Sequence, residues 1–171
     1  GNGLPKYTFG FNFTLGYKGF DLSANFTGAA GFQIAQSYRD PSSSQANYSR
    51  RILNRWTGEG TSNEIPRVTY GDVGNWLFSD LYLQDGDYIR LQNLTLGYDF
   101  KKLIAWKGLS KMRLYFQVQN LFTLTKYDGM DPEIGSFNGT DGNSSDSWVS
   151  GVDMGYYPHP RTFIVGLNLA F

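Results

Sequence analysis

Five stretches of the chain alternate apolar and polar residues with a period of two. In the longest clean run, Tyr7, Phe9, Phe11, Phe13, Leu15 and Tyr17 alternate with Thr8, Gly10, Asn12, Thr14 and Gly16. Successive side chains of a strand point to opposite faces, so this predicts a two-faced strand over residues 7–17. A tight turn at Lys18-Gly19 leads to a second strand over 20–32. Its apolar row runs from Phe20 to Phe32, and its other row is Asp21, Ser23, Asn25, Thr27 and Ala29. A third strand spans 87–100 with Leu94, Leu96, Tyr98 and Phe100 in phase. Ile89 and Leu91 are out of phase, which predicts a bulge near Gln92-Asn93. The fourth strand, 111–127, carries Met112, Leu114, Phe116, Val118, Phe122 and Leu124 on one side, with Asn120 as the misfit. The fifth, 161–171, sets Phe163, Val165, Leu167, Leu169 and Phe171 against Thr162, Ile164, Gly166, Asn168 and Ala170.

One row of each strand is thus apolar and the other small or polar. Ten steps of ~3.3 Å, tilted by ~40°, rise roughly 25 Å, the height of the apolar band on outer-membrane barrels. The stretches 33–86 and 128–160 lose the alternation and read as long loops, with a short helix predicted within 48–56 from a start near Asn47. Short turns at one end and long loops at the other are the topology of a transmembrane β-barrel, with the long loops outside the cell. Five strands cannot close a barrel, because the smallest have ~8. The sequence therefore predicts completion by residues before Gly1 or by another chain. A start at Gly-Asn-Gly without Met or apolar leader fits the tail of a longer protein.

Composition narrows the chemistry. Aromatics at 17% and 21 glycines in 171 residues suit twisted, aromatic-rich β structure. The formal net charge of zero gives no basic field for nucleic acid. Cysteine is absent, which excludes disulfides and thiolate sites. No apolar run reaches the ~18 residues of a spanning helix, but alternating strands evade that test. For an enzyme the inventory is poor, since no nucleophile elbow, phosphate loop or paired-histidine metal motif is present. The single histidine, His159, lies between two prolines and reads as a turn residue. Asp141, Asn143 and Ser145 have the first oxygen spacing of a calcium loop, but Asp146 stands where glycine is required and no glutamate closes it. Lys101, Lys102, Lys107, Lys111 and Arg113 cluster about the connection between the third and fourth strands. Anionic lipid headgroups or plain solvation account for them equally well.

Several blocks occur in a telling order: Arg55-Trp56-Thr57, Ile65-Pro66-Arg67, Asp85-Gly-Asp-Tyr-Ile-Arg-Leu-Gln-Asn-Leu-Thr-Leu-Gly-Tyr98, Leu114-Tyr-Phe-Gln-Val-Gln-Asn-Leu-Phe-Thr-Leu-Thr-Lys-Tyr127, Asp131-Pro132-Glu133 and Gly155-Tyr-Tyr-Pro-His-Pro-Arg161. Together they resemble the C-terminal end of SusC/RagA-type TonB-dependent transporters. Residues 1–50 match only in their barrel-like pattern. The resemblance implies an all-β fold, an antiparallel transmembrane β-barrel of the plugged, 22-stranded class, with this chain as its last five strands. It implies import of oligosaccharides, or less readily peptides, across the outer membrane of Bacteroidetes, beneath a SusD-like surface lipoprotein. Energy would come through the TonB complex, whose contacts and plug lie in N-terminal regions outside these residues. No cofactor or metal is implied. Phe171 would be the terminal aromatic read during barrel assembly. Trp56, Trp76, Trp148, Tyr156 and Tyr157 are the loop aromatics suited to stacking on sugar rings, with packing inside the loops or against the lipoprotein as the plainer role for each. The alternatives are a siderophore-type receptor without a lid and a secreted β-sandwich binding module.

Overall fold

The computed structural model describes residues 1–37, 50–68, 74, 77–104, 106, 108–134 and 151–171. The fold is all-β. Five strands form one antiparallel sheet in the order β1 (Tyr7–Tyr17), β2 (Phe20–Ala30), β5 (Tyr88–Asp99), β6 (Lys111–Thr125) and β8 (Thr162–Ala170). A second, three-stranded sheet has the order β4 (Leu83–Asp85), β3 (Gln33–Gln36) and β7 (Val152–Asp153). The larger sheet is open, with β1 and β8 as its edges.

Register turns the five alternating stretches into continuous rows. Leu15, Leu22, Leu96, Phe116 and Val165 are successive partners across all five strands, as are Phe13, Ala24, Leu94, Val118 and Phe163. Tyr17, Phe20, Tyr98, Leu114 and Leu167 form a third row, in which the Phe20 and Tyr98 rings lie 4.4 Å apart. Aromatic and aliphatic cross-strand pairs of this kind contribute roughly 0.2–1 kcal/mol each. These apolar rows do not form a core, because most of their large side chains are exposed, Val165 at 71% and Phe163 at 61%.

The bulge explains the phase slip in β5. Asn25 faces Asn93 while Phe26 faces Leu91, so Gln92 is an extra residue without a partner on β2. It returns Leu91 to the apolar face, beside Phe26 and Phe122. Opposite it, β6 passes from Gln119 to Phe122, and Asn120 adopts φ 52°. Asn is among the few residues that tolerate that region. This is why a polar residue interrupts the apolar row.

One end of the sheet carries the shorter connections, between β1 and β2 and between β5 and β6. Lys18 at φ 48° and Gly19 at φ 97° make the left-handed pair of a primed two-residue hairpin. At the other end the long connections are more ordered than the alternation indicated. Residues 33–86 contain β3, β4 and short 3-10 turns at Arg50–Asn54 and Asp80–Tyr82, and residues 128–160 contribute β7. The predicted helix within 48–56 is, among the described residues, only the 3-10 segment Arg50–Asn54. Strands of four, three and two residues are too short to display a period. A compact apolar cluster sits here, made of Ala29, Phe32, Ile34 and Tyr127 with Tyr88 and Ile134 packed against it. Gly86 lies so close under Phe32 that a Cβ would come within 2.5 Å of the ring.

Candidate functional site

The second face of the large sheet is polar and internally bonded. In its middle rows Asn12, Asn25, Asn93, Gln119 and Thr162 are successive partners, followed by Thr14, Ser23, Thr95, Gln117 and Ile164. Asn25 Nδ2 donates to Asn12 Oδ1, and Gln117 Nε2 donates to Asn93 Oδ1 at 3.4 Å. Toward the short-turn end, Gly16, Asp21, Gly97, Tyr115 and Gly166 share a row. The Arg113 guanidinium reaches across β5 to Asp21, with Nε on Oδ1 at 2.8 Å and Nη2 on Oδ2. Gly97 is the residue it crosses, and a Cβ there would lie 2.5 Å from both partners. Gly166 likewise lies beneath the Tyr115 ring. Bulky side chains thus lie along this wall on glycine instead of standing out from it.

At the long-loop end the segments 126–134 and 151–157 are pinned by buried charge. Arg90 is 3% exposed and donates to Thr123 Oγ1 at 2.9 Å, Glu133 Oε2 at 2.7 Å and Asp131 Oδ1. Asp131 also accepts from the Glu133 amide at 2.9 Å. A buried guanidinium is tolerated only with its hydrogen-bonding positions filled. Asp153 is fully buried and accepts from Tyr127 Oη and from the amides of Gly155 and Tyr156. β3 and β7 pair in parallel, so the two long connections are joined through main-chain bonds.

The aromatics singled out in the sequence fall in separate places. Trp56 is partly exposed and its amide donates to the Ile65 carbonyl at 2.8 Å. Tyr156 is half-buried, with its ring edge-on to His159 at 6.0 Å. Tyr157 is 82% exposed. Tyr156 and Tyr157 are neighbours, and among the described residues no ring contact joins either to Trp56. Trp76 and Trp148 lie outside the described residues, as do Asp141, Asn143 and Ser145. Phe171 is 81% exposed at the short-turn end, where its ring meets Trp106 edge-on at 6.3 Å. Lys101 Nζ donates to the Trp106 carbonyl at 2.9 Å, so part of the basic cluster braces that turn. The Arg90 cluster and the Asp21–Arg113 pair were not identifiable as contacts from sequence. Charged residues in the polar rows of the strands, Asp21, Arg90 and Arg113, were the available signal. Among the described residues no cluster of metal-ligating side chains occurs.

No family model matches the chain. It is 37% identical over 173 residues, all of its length, to TonB-dependent receptor P3 of Formosa agariphila. It is 31% identical over 166 residues, 95% of its length, to TonB-dependent receptor SusC of Bacteroides thetaiotaomicron. The chain spans only 17% and 15% of those relatives. Among solved structures it is similar to the RagAB peptide importer in its open-open state, with a TM-score of 0.72 at 25% identity over 98% of this chain and 17% of that one. These relatives are receptors and transporters, not enzymes, and they are outer-membrane β-barrel proteins. The in-order motifs, the two-faced sheet and full-length similarity agree: the chain belongs to the SusC/RagA family of TonB-dependent outer-membrane receptors.

Proposed function

We propose that this chain forms the last five strands of a 22-stranded plugged barrel, with the apolar rows against lipid, the polar rows lining the lumen and the long connections outside the cell. The whole receptor imports oligosaccharides or peptides under a SusD-like lipoprotein lid, with energy delivered through TonB to regions beyond these residues. Binding and gated passage are the mechanism, without covalent chemistry. The observation that carries this reading is the inverted burial. Val165, Phe163, Phe11 and Leu96 are exposed in unbroken apolar rows, while Asp21, Arg113 and the amides bond to one another on the opposite face. A soluble sheet with these faces would present a continuous apolar patch to water.

Import of oligosaccharide is the first reading, with Trp56, Tyr156 and Tyr157 as stacking surfaces, and Trp76 and Trp148 as further candidates. Peptide import is supported by the similarity to a peptide importer. The test is uptake of labelled oligosaccharides and peptides by cells with and without the intact receptor, together with purification of the receptor from native membranes. A stoichiometric surface lipoprotein is expected. Its absence would favour a siderophore-type receptor without a lid. A complete receptor that stays soluble without detergent would instead point to a secreted binding module and refute the membrane reading.

A further inference from the structure

β6 outruns β8, and a cleft opens where it does. The β6–β8 ladder stops at Gln119↔Thr162, whereas β6 stays paired with β5 as far as Tyr88↔Thr125. Asn120 stands at the point of divergence, and its Nδ2 donates to the Pro160 carbonyl at 3.1 Å, tethering the segment that has left the sheet. A cavity of about 240 Å³ lies between the upper part of β6 and the segments that carry Met130, Pro132, Pro158 and Arg161.

The polar side chains lining this cavity are largely occupied. Arg90 and Asp131 are buried against each other, and Thr123 Oγ1 accepts from Arg90 Nε. Thr125 Oγ1 donates to the Asp87 carbonyl at 2.8 Å, and the Asn120 amide is on Pro160. A sugar ring needs fixed side-chain donors and acceptors around its hydroxyls, and here those of Arg90, Asp131, Thr123, Thr125 and Asn120 are already engaged, which leaves His159 and Arg161 at the mouth. The main chain is not. Along an antiparallel strand every second residue turns its N–H and C=O away from a given neighbour. Between Leu121 and Thr125 the side of β6 away from β5 therefore presents polar groups that no strand takes among the described residues. Such an edge is a template for another extended chain.

We propose that this cleft is a strand-addition subsite for an extended peptide substrate, resting on the importer reading above. The peptide main chain pairs with the free edge of Leu121–Thr125. Its alternate side chains, two residues apart on one face, lie against Met130, Pro132 and Pro158. Arg161, exposed at the same cleft, meets an acidic side chain or terminal carboxylate. Recognition through main-chain bonds makes the subsite tolerant of peptide sequence.

The test uses the intact receptor in detergent and a fluorescein-labelled hexapeptide of alternating Val and Ser, followed by fluorescence polarisation. Two further peptides carry N-methyl groups on alternate amides, one in each phase, and maltohexaose serves as competitor. Removing two or three edge hydrogen bonds is expected to weaken binding about tenfold or more in one phase, and about twofold or less in the other. Met130→Trp, which fills the cleft at an exposed position, is expected to abolish binding while heat-modifiable migration stays normal. Equal effects of the two methylation phases, or full binding by Met130→Trp, would overturn the subsite. In the cell uptake experiment above, import of labelled oligosaccharide without peptide binding by the receptor would overturn the subsite and leave the importer intact, whereas import of neither oligosaccharide nor peptide would overturn both.

Discussion

The assignment of the two faces can be tested on a single pair of adjacent residues. Leu96 and Thr95 are neighbours on β5, so they lie at nearly the same depth and differ only in the side they face. Leu96 is 48% exposed, between Leu22 and Phe116 in the apolar rows. Thr95 lies between Ser23 and Gln117 in the polar rows. If the apolar face met water, Leu96→Arg would be a surface substitution worth about 0.5 kcal/mol or less. Facing hydrocarbon near mid-membrane, it costs about 2–4 kcal/mol, a shift of between about thirtyfold and several hundredfold in the folded-to-unfolded ratio. Thr95→Arg enters a row of hydroxyls and amides near the neutralised Asp21–Arg113 pair, and is expected to cost under about 1 kcal/mol. Urea titration of the receptor refolded in vesicles, followed by heat-modifiable migration, reads both changes on one scale. Equal losses from the two substitutions, or a larger loss from Thr95→Arg, would mean that the faces are reversed or that the sheet does not meet lipid.

Other expectations follow from the same geometry. Arg90→Leu leaves Asp131 as an uncompensated buried carboxylate and is expected to cost about 3–5 kcal/mol. Proteolysis should then cut within 126–134, and the double variant Arg90→Leu with Asp131→Leu should recover much of the loss. Gly166→Ala places a methyl against the rigid Tyr115 ring and is expected to lower stability by about 1–3 kcal/mol, with Tyr115→Ala restoring it in a double-mutant cycle of urea titrations. Asn120→Gly should be tolerated at φ 52°, whereas Asn120→Val should cost at least about 1–2 kcal/mol; chemical denaturation distinguishes the two. Phe171→Ser is expected to reduce the assembled barrel recovered from cells, measured by heat-modifiable migration, with little change in the stability of the fraction that does assemble. Assembly at the original level would remove Phe171 from any signalling role.

The large sheet was legible in the sequence because strand phase is a local property. Each of Phe11, Leu96, Phe116 and Val165 could be assigned to a face from its two neighbours alone, and the slip at Gln92 could be seen without knowing what lay opposite. Residues that act through distant partners were not legible in that way. Arg90 and Asp131 are 41 positions apart, and Asp21 and Arg113 are 92 apart. Nothing in the spacing joins them, although charges within or beside strands whose polar rows are mostly amides, hydroxyls and glycine were a reason to look for pairs. β3, β4 and β7 escaped because two to four residues cannot show a period, and Ile34 is buried by Phe32 and Tyr127 through tertiary packing. The cleft beside Asn120 belongs to a third category. Its sequence signs were an asparagine in an apolar row and a proline-rich approach to the last strand, each with an ordinary local explanation. Together they mark the point where two neighbouring strands differ in length, and that difference belongs to the pairing and not to either strand. A site formed by a length mismatch is visible only once register is known, even where its lining residues fall within the motifs that identify the family, as Asn120, Thr123, Asp131, Pro132, Pro158 and Arg161 do here.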